Sequence, residues 1–285
     1  MEQYILENCN SFDMKHIFEC GQCFRWNKQE DDSYIGVIKD RVIKVKKEND
    51  KFIFSSNESK DLEIIVKKYF DLDRDYEKIK NTLSNIDDNL KKSVEYGSGI
   101  RILNQDIWEC IISFIISANN NIPRIKKIIE NLSKEYGKKI EFENKEYYIF
   151  PSPEELSKAT VEDLRKLGLG FRDKRVYNTT RMILNKEFDI ELLRNEKNTE
   201  VIREALLKLD GVGEKVADCI LLFSFNRFDV FPVDVWVRRV MNELYIHLDD
   251  ENKVNKKEIR QLAKEKFCGI EGLAQQYLFY WKREQ

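Results

Sequence analysis

Lys215 lies in "DGVGEKVADC", just inside the start of a predicted helix, and nineteen residues later Asp234 follows "FPV" at the start of another. A lysine is a nucleophile as the neutral amine, and the partial positive charge at a helix N-terminus disfavours the ammonium form. Cys219 is one turn further along the same face, so whatever reaches the amine also meets a thiol. An aspartate directly before a helix is a natural N-cap. A carboxylate held in that way can stabilise a developing cation or assist proton transfer. Singly these residues read as a surface lysine and a simple cap; together they describe an amine nucleophile with an acidic partner.

The link Asp210-Gly211-Val212-Gly213 joins a helix predicted over 201–209 to the one carrying Lys215. Two glycines in four residues permit positive φ and a tight reversal, and they leave backbone N–H groups uncovered. Such groups at a helix start bind phosphate oxygens. The stretch therefore reads as a helix-hairpin-helix, a clamp on nucleic-acid backbone that reads no base, with an ordinary helix–turn–helix link as the plainer alternative. The formal net charge of −2 weighs mildly against a nucleic-acid partner, but affinity depends on where the cations sit rather than on their sum.

The surrounding chain must position these groups. Its 285 residues suggest two domains. Apolar residues at 42% are enough for a real core, and charged residues at 35% indicate a heavily solvated surface. "SYIGVI" (33–38), "RVIKVKK" (41–47) and "KFIFS" (51–55) alternate apolar and polar residues, the mark of antiparallel strands with one buried face. Residues 62–70 switch to helical spacing. After "YGSG" (96–99) apolar residues recur at three and four, predicting helices near 107–118, 123–136, 161–167, 174–184, 201–209, 214–225, 235–246, 256–267 and 272–282. The expected fold class is α+β: an antiparallel β domain with helices over 1–99, then an all-helical domain over 100–285. No apolar run approaches a membrane span, and no signal peptide is read at the start. The expectation is a cytoplasmic protein.

Cys20 and Cys23 in "FECGQCFRW" raise the question of a redox or zinc site. A redox C-x-x-C opens a helix, whereas this one runs into "FRW", which reads as a strand. A zinc site needs two more ligands, and two histidines and scattered cysteines offer no second pair at suitable spacing.

"LDGVGEKVADCILLF…FPVDVW" resembles the hairpin, Gly/Pro-rich loop and aspartate of the helix-hairpin-helix DNA glycosylase superfamily, whose bifunctional members carry the lysine after the hairpin. Relatives with an iron–sulfur cluster hold it with four C-terminal cysteines; beyond residue 240 this chain has only Cys268. "GQCFRW" (21–26), "ISANNNIPRI" (116–125), "FPSPEEL" (150–156), "LRKLGLGFR" (164–172) and "AQQYLF" (274–279) resemble the 8-oxoguanine DNA glycosylases in particular.

The resemblance implies a role for each matching position. The carbonyl of Gly21 would accept the N7–H that 8-oxoguanine has and guanine lacks. Phe279 and Cys219 would sandwich the flipped base, with Pro232 beside it and Gln275 on its Watson–Crick edge. Asn119, Arg124 and Arg172 would meet the orphaned base, with Phe171 as wedge and cytosine preferred. Gly211, Gly213 and Trp236 would face the DNA backbone. The backbone carbonyls of Leu207, Leu209 and Val212 would hold a monovalent or other hard cation. Animal members have histidine where this chain has Trp236, and aspartate where it has Lys282, so Lys282 is the candidate for remaking that phosphate contact.

The implied reaction flips the base out, attacks C1′ with Lys215 while Asp234 stabilises the sugar cation, and nicks the strand by β-elimination through a Schiff base. The expected partner is double-stranded DNA containing 8-oxoguanine, the expected state is a monomer, and the implied chemistry requires no redox cofactor. A same-fold glycosylase for an alkylated base, or a clamp without chemistry, are the alternatives.

Overall fold

The computed structural model of the chain describes residues 3–7 and 9–283, apart from the side chain at 252. The N-terminal part is a five-stranded antiparallel sheet of β1 (Tyr4–Glu7), β2 (Trp26–Lys28), β3 (Tyr34–Ile38), β4 (Arg41–Glu48) and β5 (Lys51–Ser56), in the order β1-β5-β4-β3-β2. The central strands are those that the alternation marks. The edge strands β1 and β2 are too short to show a period of two.

One face of the sheet closes over an aromatic core of Phe12, Phe18, Trp26, Phe52, Phe54 and Phe70. Phe18 stacks on Trp26 at 4.1 Å, and the Trp26 indole N–H donates to the Tyr69 hydroxyl at 3.0 Å. The other face is covered as well, which corrects the expectation of an all-helical second half. Strands β6 (Lys139–Phe142) and β7 (Lys145–Tyr148) form a hairpin within it. Its two-residue turn, Glu143-Asn144, has φ of 49° and 59°, as a type I′ connection requires. Ile140, Phe142 and Tyr147 then cover Ile35, Val37 and Val42 of the sheet.

The helices share a second core. Helix Ile107–Ser117 packs against helix Glu214–Ser224, with Phe114 stacked on Phe223 at 5.6 Å. Helix Val235–Met241 ends in a π-helical turn over Asn242–Ile246 and packs on the C-terminal helix Glu271–Arg283. The apolar cores do not part at residue 99: Tyr76, Leu83, Leu90 and Val94 belong to the helical core, because helix Asp88–Tyr96 lies along the C-terminal helix. Among the described residues no helix is long and apolar enough to cross a membrane.

The "CGQC" stretch sits on the seam between these cores. Cys20 packs into the helical core and Cys23 into the sheet core. Burial pushes the Cys20 thiol up to about 11 and raises that of Cys23 further, so both stay protonated at neutral pH. Between them Gln22 is fully buried and fully bonded. Its amide N–H groups donate to the carbonyls of Ile17 (2.9 Å) and Arg101 (2.8 Å), and its Oε1 accepts from the Leu103 N–H (2.9 Å).

Glu109 occupies the same seam, 3.6 Å from the Arg25 guanidinium, and burial pushes its carboxyl up to about 7. A group with a raised folded-state value stabilises fully below its unfolded value and loses that contribution as pH rises through the folded one. Stability should therefore fall between about pH 4.5 and 7. Glu109→Gln should match wild type near pH 4 and exceed it near pH 8 by of order 1–3 kcal/mol. Urea midpoints at the two pH values provide the test, and a variant advantage that is the same at both would refute the assignment.

Candidate active site

Helix Glu214–Ser224 begins at Gly213, which is extended (φ −97°, ψ 178°), and places Lys215 in its first turn. Lys215 is half-buried, with Nζ 5.5 Å from the centre of the Phe114 ring. Cys219 is buried one turn on. Burial pushes its thiol up, the neighbouring Lys215 pulls it down, and the Asp234 carboxylate pushes it up again. The three side chains expected to act together thus share one electrostatic environment. Asp234 caps the helix Val235–Met241, its Oδ1 accepting the Val237 N–H at 2.7 Å. Pro232 and Val233, both buried, hold the incoming chain against the core.

Gly21 has φ +87°, a left-handed conformation that side chains resist. A methyl group there would lie 3.5 Å from Cε1 of Phe279 and 3.4 Å from a guanidinium nitrogen of Arg283. The C-terminal helix is stitched to this loop by two residues that sequence reasoning missed. The Gln276 amide donates to the Cys20 carbonyl at 2.6 Å, and Arg283 donates to the Glu19 carbonyl while its guanidinium lies 5.4 Å from the Phe279 ring. Nothing in "AQQYLF" sets Gln276 apart from Gln275 except the turn of the helix. Gln275 and Phe279, one turn apart, line a narrow cleft with Phe231, Val237 and Met241. Gln275 is buried, and its amide has no hydrogen-bond partner among the described residues. Val237 connects the two halves of the site: it lines this cleft and its N–H holds Asp234.

A second surface gathers Asn119, Arg124, Phe171 and Arg172. Asn119 is exposed and left-handed (φ +51°) just beyond helix Ile107–Ser117. Arg172, expected to meet the orphaned base, is 2% exposed and its donors are largely taken. Nε and Nη2 donate to the Ala118 carbonyl (2.8 and 2.6 Å), Nη2 to that of Asn119 (2.6 Å) and Nη1 to that of Leu169 (3.3 Å). Arg172 therefore fixes the turn that presents Asn119. Phe171 is 55% exposed, with the Arg172 guanidinium 4.2 Å from its ring. Arg124 is exposed, its Nη2 within 3.4 Å of the Gly168 carbonyl.

The hairpin follows the expected reversal, although its first helix, Thr199–Leu206, ends three residues early. Gly211 takes φ +86°, the Leu209 carbonyl accepts the Val212 N–H at 3.1 Å, and the Cβ position of Gly213 faces open space. Leu207 is exposed. Trp236 is partly exposed, and Lys282 pairs with Glu243 at 2.6 Å.

Two family models divide the chain between them: the N-terminal domain of 8-oxoguanine DNA glycosylase matches residues 4–111, and the HhH-GPD superfamily of base excision DNA repair proteins matches residues 112–267. The 8-oxoguanine glycosylase/lyase of Clostridium acetobutylicum, in its apo form, superposes with a TM-score of 0.92 at 45% identity, over 98% of this chain and 96% of that one. The same enzyme in complex with double-stranded DNA containing cytosine opposite 8-oxoG superposes at 0.93 with 44% identity, over 99% and 97%. A probable N-glycosylase/DNA lyase of Methanothermobacter thermautotrophicus is 35% identical over 74% of this chain and 71% of its own length. By both halves and by whole-chain similarity, this chain belongs to the 8-oxoguanine DNA glycosylase/lyase family of the HhH-GPD superfamily of base excision DNA repair proteins.

Proposed function

We propose that this chain excises 8-oxoguanine paired with cytosine and then nicks the abasic strand. The observation that carries the reading is the shared environment of Lys215, Cys219 and Asp234, joined through Val237 to the cleft of Gln275 and Phe279.

The glycosidic carbon is inaccessible within a stacked duplex, so the base must first leave the stack. The Gly21 carbonyl then accepts the N7–H of the lesion, whereas guanine would oppose a lone pair to it. Phe279 and Cys219 cover the two faces of the base, Pro232 borders it, and the Gln275 amide meets its Watson–Crick edge. The Lys215 amine forms the bond to C1′ as the bond from C1′ to the base breaks; the base leaves with the electron pair and takes up the proton that Nζ gives up. Asp234 stabilises the cationic sugar during this exchange. Ring opening gives an imine to Lys215, and loss of the C2′ proton expels the 3′ phosphate.

On the opposite strand Asn119 and Arg124 donate to the O2 and N3 acceptors of cytosine, Arg172 holds Asn119 in place, and Phe171 fills the gap. The hairpin amides at Gly211 and Gly213, with Trp236, face phosphate. The carbonyls of Leu207, Leu209 and Val212, at the negative end of helix Thr199–Leu206, are assigned to a monovalent or other hard cation.

Borohydride trapping tests the reading with three duplexes: 8-oxoguanine opposite cytosine, an alkylated purine, and undamaged DNA. A covalent adduct with the first alone is expected. An adduct only with the alkylated base would reassign the lesion, and intact binding without any adduct or base release would leave a clamp without chemistry.

A further inference from the structure

Arg175 stands where the wedge and the hairpin meet. Its aliphatic stem packs on Gly211 so closely that a methyl group there would come within 2.7 Å of Cδ. Its guanidinium lies 5.2 Å from the Phe171 ring, the same ring that Arg172 approaches. It is half-buried, and among the described residues it has no carboxylate within ion-pair reach and donates no hydrogen bond. The nearest acidic neighbour in sequence to Gly211, Asp210, is already bonded to the Asn178 amide at 2.7 Å. Arg172 and Arg175 face the same Phe171 ring, and Arg124 reaches the Gly168 carbonyl just before it in the chain, so three guanidinium groups cluster here. The carboxylate of Asp173 is taken by Arg165 at 2.7 Å. A cluster of like charges held by packing is costly in the free protein and favourable beside a polyanion.

We propose that Arg175 is a phosphate-binding residue of the DNA interface, tying the strand gripped by the hairpin to the register of the Phe171 wedge. The inference rests on the DNA-repair reading above and adds to it an interaction that backbone amides alone do not make: a full charge in a forked geometry suited to phosphate oxygens. An interaction of this kind positions the duplex and carries no base information.

The test is equilibrium binding of labelled duplexes, undamaged and 8-oxoguanine-containing, across salt concentrations, for wild type, Arg175→Met and Arg175→Lys. Methionine keeps an aliphatic stem on Gly211 and removes the charge. Removing a single charge from the phosphate backbone should lower the slope of log affinity against log salt by about 0.9. The drop in affinity between 50 and 200 mM salt would then shrink by about 3-fold. The weakening should be equal for both duplexes, and lysine should restore the slope. An unchanged slope in Arg175→Met, with weakened binding or without, would overturn the assignment and leave Arg175 a packing residue. Failure of the wild type to bind duplex in a salt-dependent way would instead sink the DNA-repair reading itself.

Discussion

Lys215→Gln should reduce the borohydride-trapped adduct and strand nicking to background, a loss on the order of 10³-fold or more, as expected when a covalent nucleophile is removed. Glutamine removes the charge from the half-buried position over the Phe114 ring, and the hairpin amides at Gly211 and Gly213 are backbone groups that the substitution leaves in place. Duplex binding should therefore stay within severalfold of wild type, which separates a chemical defect from a folding one. A second signature comes from Cys219. Lys215 is the main influence holding its thiol down against burial, so in the variant the thiol should react more slowly with alkylating reagents at a given pH. Base release that continues without trapping would show water activated near Asp234 doing the first step, and would remove Lys215 as the covalent centre.

Much of this site was legible in the chain because its chemistry depends on local sequence. A lysine in a helix's first turn, an aspartate at an N-cap and glycines in a reversal all follow from rules spanning a few residues, and Gly213, Lys215 and Asp234 take up those conformations. Residues whose role depends on distant partners were not legible in the same way. The sequence offers Arg172 only as a candidate contact to the orphaned base; the fold brings the carbonyls of Ala118 and Asn119 to it, more than fifty positions away, and buries it. Gln276 and Arg283 look like neighbours of a binding residue until the C-terminal helix docks on the carbonyls of residues 19 and 20. The hairpin β6–β7 failed to register for another reason. "KIEFENKEYY" alternates as a strand should, but four-residue strands around Glu143-Asn144 are easily lost in a long helical context, and their partner is the outer face of a sheet a hundred residues earlier.

The second large effect concerns Gly21. Gly21→Ala should lower 8-oxoguanine excision about 10- to 100-fold, the equivalent of losing one well-placed hydrogen bond to the lesion. The cause is conformational rather than steric: the added methyl group finds ordinary contact distances of 3.4 and 3.5 Å, but φ +87° disfavours any residue with a Cβ. The peptide would relax toward negative φ and turn the carbonyl away from the N7–H it is assigned to accept. Gln22, bonded on both sides of the seam, limits that relaxation to the loop, so the fold should survive with a modest fall in Tm. Cleavage of a preformed abasic site is the decisive comparison, because it needs Lys215 but no base in the cleft. That activity should remain within severalfold of wild type in Gly21→Ala. Equal losses on the lesion duplex and the abasic duplex would mean that Gly21 acts through the packing of Phe279 and Arg283 around the whole site, and the reading of its carbonyl as the discriminator between 8-oxoguanine and guanine would have to be abandoned.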